Sequence, residues 1–447
     1  MAKQSFDLPD LPREETPGAT RAIVLKAIFP DDPSEGSSEI DPVGEITLLA
    51  DTAGVEVVDA VTQRRQKPHT GTYVGRGKLE ELKERSTLLD TQLVIIDDPV
   101  SPSQGKNIEE RTGLRVIDRT ELIMDIFARN ARSHEAKLQV ELAQLRYSAQ
   151  RLTRMWTHLS RMEGGAVGTR GPGETQLETD RRMIRKKIDS LKERLREISR
   201  QRETQHKGRT DTFRVALVGY TNAGKSTLIR RLTGADVLVE NRLFSTLDTS
   251  TRQWKLEASR DVIISDTVGF IRKLPHGLVA SFQATLMEAQ EADVLLHVVD
   301  ASSPRIESDI AAVRETLDQI GCGDHRTLLV FNKIDRVDDQ HRIDLQYLLA
   351  QNPDSLVISA AEDINVTGGG SLTETVLDIL HESEVEVEYA LPHARADLVN
   401  QLHRIAEVLT HEYGDEGVRM RVRIPREERQ RFESALSSAG IAIAPPA

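Results

Sequence analysis

The sequence predicts an α/β protein with a doubly wound, mostly parallel central sheet, which a small α/β unit and a long antiparallel helical hairpin precede and a small α/β module follows. In two separate parts of the chain, short apolar runs alternate with helix-compatible stretches, as in parallel sheets. Two stripes of apolar residues at heptad spacing lie between those parts. A chain of 447 residues with 38% hydrophobic content is also too long for one core. We therefore expect several domains.

The amino-terminal unit is expected over residues 21–130, after a polar, proline-bearing segment (1–20) that lacks periodicity and predicts a disordered arm. Four β-type runs separated by helical stretches predict a largely parallel sheet: AIVLKAIF (22–29), VEVVDAV (55–61), LVIIDD (93–98) and RVID (115–118). Within this unit, GTYVGRGKLEEL (71–82) is either a simple turn into a helix or an anion site, because free N–H groups point outward where a helix begins.

A helical hairpin is predicted over residues 131–205. Two stripes at spacings of three and four would bury one helix against the other, and glycine-rich EGGAVGTRGPGETQ (163–176) would form the tip. Trp156 falls on the first stripe, where a packing role is expected. The stripe residues are Leu138, Leu142, Leu145, Ala149, Leu152, Trp156 and Leu159, then Ile184, Ile188, Leu191, Leu195 and Ile198.

Charge is distributed unevenly along the chain. The net charge is -12, yet residues 129–210 contain 20 Lys/Arg and 10 Asp/Glu, a balance of +10. One basic segment in an acidic protein indicates either a local contact with a polyanion or a solvated helical face. For the contact we favour RNA, with Arg170 at the tip and Arg181, Arg182, Lys186 and Lys187 on the second helix.

The central domain is expected over residues 211–382, from the apolar runs FRVALVG, DVIISD, DVLLHVVD, TLLVFNK and LVISA, each followed by a helix-compatible stretch. His297, inside DVLLHVVD, is expected to be a core residue. Residues 383–447 predict a strand-helix-strand-helix module, with Leu398, Leu402, Ile405 and Leu409 on one side of its first helix.

A phosphate-binding loop is the most specific motif. GYTNAGKST fits G-x-x-x-x-G-K-[ST] and lies between a predicted strand and a predicted helix, which is the context that a P-loop requires. Its backbone N–H groups would face phosphate oxygens, the Lys225 amine would reach the β and γ phosphates, and Ser226 would bind Mg²⁺. The loop comprises Gly219, Tyr220, Thr221, Asn222, Ala223, Gly224, Lys225, Ser226 and Thr227.

A second carboxylate near the metal is expected from DTVG, which ends the strand VIIS. Asp266 would hold Mg²⁺ through a water, and the Gly269 amide would face the γ phosphate, with Thr267 and Val268 between them. The polar stretch FSTLDTSTR (244–252) is predicted to be a switch loop, whose threonine hydroxyl binds the metal only when the γ phosphate is present.

Guanine specificity is predicted from NKID, which follows the strand TLLVF. A carboxylate at Asp335 accepts hydrogen bonds from the ring N–H and exocyclic amine of guanine, and adenine offers no such pair. A backbone amide in the later ISAA segment would meet the guanine oxygen. The residues of this base site are Asn332, Lys333, Ile334, Asp335, Ser359, Ala360 and Ala361.

The chain resembles the HflX family of ribosome-associated GTPases, within the Obg-HflX group of P-loop GTPases. The resemblance extends over about residues 22–390, and GPGETQLETDRR separates this family from its relatives. It implies that Thr246, rather than Thr249, is the metal-binding threonine of a switch segment that includes Phe244, Ser245, Thr246, Leu247 and Asp248. It also implies GTP/GDP and Mg²⁺ as cofactors, binding to the large ribosomal subunit, and a role in splitting or rescuing stalled ribosomes under stress.

Hydrolysis is expected to involve Lys225, Thr246 and Gly269 but to be slow without a partner. Phe270 follows the DTVG glycine, where many GTPases carry a water-orienting glutamine, and its side chain cannot form a hydrogen bond. We expect the large ribosomal subunit to order the switch loops. Two other interpretations remain. One is an RNA-remodelling ATPase or GTPase with a second nucleotide site at Gly75, Gly77 and Lys78, and the other is a signalling switch that recruits only a protein.

Other features restrict the setting of the protein. No apolar run is long enough to span a membrane, the amino terminus lacks a signal-peptide pattern, and Cys322 is the one cysteine, so we expect a cytoplasmic monomer without disulfides. Near the carboxyl end, Arg419, Arg421 and Arg423 would share one face of a strand. They predict a solvated edge protected against sheet association, or else a ribosome contact.

Overall fold

A computed structural model describes residues 20–30, 32, 41–162, 172–206, 212–234, 243–244, 250–257, 260–272, 283–362, 371–414 and 417–438. Its strands are β1 Thr20–Ile28, β2 Val55–Arg64, β3 Leu93–Ile96, β4 Arg115–Asp118, β5 Arg214–Gly219, β6 Ser250–Glu257, β7 Arg260–Asp266, β8 Val294–Asp300, β9 Thr327–Asn332, β10 Leu356–Val357, β11 Glu384–Pro392, β12 Glu407–Tyr413 and β13 Gly417–Pro425.

The α-helices of this described part vary widely in length, and no helix in it is both long enough and apolar enough to cross a membrane. They are α1 Gly44–Thr52, α2 Arg76–Leu88, α3 Pro102–Thr112, α4 Arg119–Asn130, α5 His134–Met162, α6 Pro172–His206, α7 Lys225–Thr233, α8 Gln283–Gln290, α9 Ile306–Gln319, α10 Asp339–Gln351, α11 Leu372–Ser383, α12 Ala396–Ile405 and α13 Arg426–Ser438.

The amino-terminal sheet has the order β2-β1-β3-β4, with every pair parallel, as the four apolar runs predict. Strand β1 is central and buried on both faces from Ala22 to Ile28, because helices cover the sheet on both sides. One core lies between the sheet and α1 and α4, and the other lies on the side of α2 and α3.

Helices α5 and α6 pack against each other as the heptad stripes predict. Leu138 and Leu142 of α5 bury against Leu191 of α6, and the Lys187 amine of α6 pairs with Glu141 of α5 at 2.6 Å. The middle of α5 is bonded to the end of β4, because Tyr147 donates to Asp118 at 2.8 Å and Arg151 pairs with the same carboxylate at 3.1 Å. The tip, including Arg170, and the side chain of Trp156 lie outside the described residues.

The central sheet has the order β10-β9-β8-β5-β7-β6. Its five predicted strands are parallel, and β6 pairs antiparallel with β7. Ser250, Thr251 and Arg252 therefore belong to an edge strand, and the prediction of a switch loop reaching residue 252 was wrong at its end. The strand forms because Trp254 and Leu256, two residues apart, are both buried in the core. Pairing with β7 also satisfies the backbone hydrogen bonds of this polar segment.

The carboxyl-terminal sheet is antiparallel, with the order β11-β13-β12. The predicted strand-helix-strand-helix order missed β12. Helix α12 ends at Ile405, and Leu409 lies in β12 at an irregularity in its pairing with β13. The spacing of four between Ile405 and Leu409 fits a longer helix as well as a short strand that follows the helix, so periodicity could not distinguish these alternatives.

The prediction of an edge strand for the three arginines was also wrong, because β13 is the central strand of this sheet. Arg419 pairs with Glu388 at 3.2 Å, Arg421 with Glu386 at 2.8 Å, and Arg423 with Glu386 and Glu407 at 2.9 and 3.3 Å. Cross-strand ion pairs on the exposed face therefore account for the alternating arginines.

Candidate functional site

The P-loop joins β5 to α7 at the carboxyl edge of the central sheet. Gly224 has φ +96°, and a Cβ there would lie 2.2 Å from Nδ2 of Asn332, so only glycine fits. Asn222 is also left-handed, with φ 62°. The backbone turns sharply before α7 begins at Lys225, which directs the first amides of that helix toward the open edge.

Lys225 and Ser226 begin α7 and face the end of β7. The Lys225 amine is buried and donates to the carbonyl oxygens of Gly219 and Tyr220, both at 2.9 Å. Burial lowers the pKa of Lys225 to about 8, although the nearby Asp266 carboxylate acts in the opposite direction. Ser226 Oγ donates to Asp266 Oδ2 at 2.9 Å, so the two predicted metal-binding oxygens lie together.

The DTVG segment continues β7 alongside the P-loop. The Thr221 amide donates to the Phe270 carbonyl at 2.8 Å, and the Phe270 amide donates to the Gly219 carbonyl at 3.1 Å. Thr267 Oγ1 donates to the carbonyl of Leu217 at 2.6 Å. The Phe270 side chain is buried in the core beneath the sheet, so it takes no position on the nucleotide side.

The predicted base site is linked to the P-loop through Asn332, the last residue of β9. Asn332 Nδ2 donates to the Ala223 carbonyl at 2.8 Å, and Asn332 Oδ1 accepts from the Ala360 amide at 2.9 Å. Ser359 Oγ donates to Asp335 Oδ1 at 2.6 Å. The structure thus brings the NKID and SAA segments together and joins both to the P-loop.

Asp300, at the end of β8, was not predicted as part of this site. Its Oδ2 accepts from the Lys333 amine at 2.7 Å, which holds a residue whose φ of 64° places it in the left-handed region. A β-type run that ends in a polar residue is common in sequences, and Asp300 belongs to no motif, so the sequence did not indicate it. Its apposition with Lys333 follows from the pairing of β8 with β9, in which Asp300 lies beside Asn332.

The beginning of the predicted switch segment is held by the amino-terminal unit. Phe244 is buried, its ring meets that of Phe127 edge-on at 4.7 Å between centroids, and its carbonyl accepts from Asn130 Nδ2 at 2.8 Å. The Leu243 amide donates to Thr52 Oγ1 at 3.3 Å. Ser245, Thr246, Leu247 and Asp248 lie outside the described residues.

The glycine turn before α2 is used within its own domain. The Gly75 amide donates to Gln63 Oε1 at 2.9 Å, and the Lys78 amine pairs with Glu81 at 2.7 Å. Tyr73 Oη donates to Asp98 at 2.5 Å and accepts from the Ala27 amide at 2.9 Å, which anchors the turn to the sheet. These contacts favour a structural helix entry over a second nucleotide site.

The basic residues predicted on α6 differ in their surroundings. Arg182 and Lys186 are exposed, Arg181 is half-buried, and Lys187 is exposed but paired with Glu141. Arg182 and Lys186 are therefore the two residues of this set that best fit an external anionic partner.

His297 is buried in β8, as predicted for a core residue, and its Nδ1 atom has no hydrogen-bond partner among the described residues. Burial first, and then the positive charges of Arg314 and Lys225, lower the pKa of His297 from 6.5 to about 3. Between those two pH values the unfolded chain binds the extra proton, so the free energy of unfolding decreases as the pH falls below 6.5.

Replacing His297 by Leu is expected to remove this dependence. The variant should lose less stability on acidification, by up to about 1.4 kcal/mol per pH unit below 6.5. Urea unfolding at pH 7 and pH 5 measures the difference, and the exposed His403 changed to Leu serves as the control. An unchanged pH dependence in the His297 variant would contradict the assigned environment.

The phosphate loop, the DTVG segment and the NKID segment meet at one edge of a parallel sheet, which defines a P-loop GTPase. Family descriptions match consecutive parts of the chain: "GTP-binding GTPase N-terminal" matches residues 41–128, "GTP-binding GTPase Middle Region" matches 130–209 and "50S ribosome-binding GTPase" matches 214–333.

Several relatives carry the name GTPase HflX. The protein of Lacrimispora saccharolytica is 39% identical over 416 residues, covering 91% of this chain and 94% of the relative. That of Escherichia coli K12 is 41% identical over 411 residues, covering 91% and 93%. A crystal structure of SsGBP with GDP has 24% identity and a TM-score of 0.44, covering 81% of this chain and 98% of that one. The chain belongs to the GTPase HflX family, and it binds guanine nucleotide and hydrolyses GTP.

Proposed function

We propose that the nucleotide occupies the edge where Asn332 joins the P-loop to the SAA segment. This observation carries the proposal, because one side chain bonded to both Ala223 and Ala360 fixes the distance between phosphate and base subsites. The P-loop amides and the Lys225 amine would bind the phosphates. Asp335 would accept from guanine, with its carboxylate oriented by Ser359, and the Ala360 and Ala361 segment would lie at the guanine oxygen.

The donor set at the phosphate end fits Mg²⁺. Ser226 Oγ and Asp266 Oδ2 are hard oxygen donors 2.9 Å apart beside the P-loop lysine, and Thr246 is proposed as the further hydroxyl ligand of the switch segment. When bound, the metal would neutralise charge on the phosphate oxygens. Lys225 and the Gly269 amide would face the γ phosphate, and Phe270 supplies no group that orients water. Slow intrinsic hydrolysis stimulated by a partner follows from this arrangement.

We propose the large ribosomal subunit as that partner, and splitting or rescue of stalled ribosomes under stress as the role. The matched description "50S ribosome-binding GTPase" and the basic outer face of α6 support a ribosomal RNA contact. A ribosomal partner would place the protein in the cytoplasm. In the proposed arrangement, the hairpin reaches RNA while the switch segments respond to nucleotide at its base.

Neutralising Arg182 and Lys186 together, by changing both to Gln, is expected to weaken co-sedimentation with large subunits without changing the affinity for GDP. Each lost phosphate contact should reduce the slope of log affinity against log salt by about 1. Sedimentation at two salt concentrations measures this slope. Arg342, an exposed arginine on α10, changed to Gln is the matched control. Equal affinity and slope for the double variant and the wild type would contradict an RNA contact at this face.

A further inference from the structure

A carboxylate of the amino-terminal unit connects two parts of the nucleotide site. Glu45, in the first turn of α1, accepts from Tyr220 Oη at 2.7 Å through Oε1 and from Arg272 Nη2 at 2.6 Å through Oε2. Tyr220 is the second residue of the P-loop, and Arg272 lies three residues after Gly269. A single side chain therefore joins the P-loop to the residues that follow the DTVG segment, from outside the central domain.

The connection closes on itself through further hydrogen bonds. The Arg272 amide donates to Tyr220 Oη at 3.0 Å, and Arg119 Nη2 donates both to Glu45 Oε1 at 2.6 Å and to the Arg272 carbonyl at 3.1 Å. The backbone and the side chain of Arg272 are thus both held. Such a ring of bonds leaves the segment after Gly269 little freedom relative to Tyr220.

The group is buried and electrostatically balanced. Glu45 and Arg119 side chains are 12% and 3% exposed, and Arg119 also pairs with Asp97 at 2.6 Å, which in turn pairs with Lys26 at 2.9 Å. Burial by itself would raise the pKa of Glu45, but Arg119 and Arg272 lower it to about 2, so the carboxylate stays charged at neutral pH. This series of ion pairs ends at Lys26 in β1, so the amino-terminal sheet provides a rigid support for Glu45.

Apolar contacts reinforce the same segment. Val268 and Ile271, on either side of Gly269 and Phe270, are buried in the core cluster that α1 and α4 form with the amino-terminal sheet. Gly269 itself lies so close to the P-loop that a Cβ would come within 2.9 Å of the Thr221 Cα atom. Small displacements of this segment would therefore alter the distance between the Gly269 amide and the phosphate subsite.

We propose that Glu45 is a positioning residue for GTP hydrolysis, which holds Tyr220 and Arg272 so that the Gly269 amide keeps its register with the P-loop. Glu45 meets both residues through their side chains, Tyr220 at its hydroxyl and Arg272 at its guanidinium, and it acts on hydrolysis through these two residues. The inference rests on the proposed location of the nucleotide. It assigns to the amino-terminal unit a part in intrinsic hydrolysis, separate from any ribosome contact.

The test compares Glu45→Gln with wild type in single-turnover GTP hydrolysis without ribosomes and in binding of fluorescent GDP. Gln keeps the shape but loses the charge that balances two guanidinium groups. We expect kcat to fall about tenfold, less than the hundredfold that a 1 Å misplacement costs, while KM and the Kd for GDP change less than about twofold. The matched control is Glu121→Gln, since Glu121 pairs with Arg151 at 2.9 Å within the amino-terminal half. That control should leave kcat unchanged.

Tyr220→Phe provides a second variant that removes only the hydroxyl bonded to Glu45, and it decides the question if Glu45→Gln fails to fold. We expect it to lower kcat about threefold and, in the double variant, to add less than the product of the single effects. An unchanged or increased kcat in both variants overturns the proposal, as does a loss of GDP affinity equal to the loss of kcat. An unchanged GDP affinity in the variant Asp335→Asn would instead overturn the proposed nucleotide site.

Discussion

Changing Asp335 to Asn is expected to lower the affinity for GTP and GDP by about 10³-fold to 10⁴-fold. The carboxylate is proposed to accept two hydrogen bonds from guanine, and an amide presents one donor where an acceptor is needed, which leaves buried polar groups mismatched. Xanthine carries an oxygen in place of the exocyclic amine of guanine. The variant should therefore gain affinity for xanthine nucleotides, because the Asn amide donates to that oxygen.

Competition between fluorescent GDP and unlabelled GDP, XDP and ADP measures this exchange of preference. Asp339→Asn is the matched control, because it makes the same chemical change four residues later. Asp339 is fully exposed at the beginning of α10. If Asp335→Asn still prefers GDP to XDP, the base does not meet this carboxylate. A preference for ADP in the wild type would favour an ATPase.

Changing Gly269 to Ala is expected to lower the rate of GTP hydrolysis at least about 100-fold. A Cβ would lie 2.8 Å from Thr221 Cγ2 and 2.9 Å from Thr221 Cα, and the second of these atoms belongs to the backbone. The DTVG segment must then move away from the P-loop, which removes its amide from the γ phosphate. The loss of one such donor typically costs 10² to 10³ in kcat.

GDP has no γ phosphate, so its affinity should change less than about threefold in the Gly269 variant. Single-turnover hydrolysis and GDP titration separate the two effects. Gly105→Ala serves as the control, because Gly105 lies within helix α3 and a Cβ there meets no atom within 4 Å. Hydrolysis at the wild-type rate by Gly269→Ala would show that this amide does not face the γ phosphate.

The segments of the proposed nucleotide site could be placed from the sequence because their motifs are local. GYTNAGKST, DTVG and NKID each begin with the last residue of a parallel strand, and the carboxyl ends of such strands share one edge of the sheet. The structure confirms that these segments meet there, with Ser226 beside Asp266 and Asn332 between Ala223 and Ala360. Each motif also places a residue type where the backbone requires it, as glycine at position 224, whose φ is left-handed, illustrates.

The carboxyl-terminal module was less predictable because weak periodicity was the only guide. Leu409 continues a helical spacing from Leu402 and Ile405, yet α12 ends at Ile405 and a short strand follows. Alternating arginines predict an edge strand. They lie instead on the central strand β13, where glutamates of the neighbouring strands β11 and β12 pair with them. Strand order depends on which segments pair, and no single segment contains that information.

The sequence by itself determined the alternating α/β pattern, the heptad stripes and the nucleotide motifs, because each depends on residues close together along the chain. Only the tertiary structure decided that Glu45 lies against Tyr220 and Arg272 and that Phe244 packs on Phe127. These partners are separated by more than 100 residues, and Glu45 belongs to no motif. Their contact arises because buried charges require partners of opposite sign and apolar rings require a core, and only the folded chain shows which ones are adjacent.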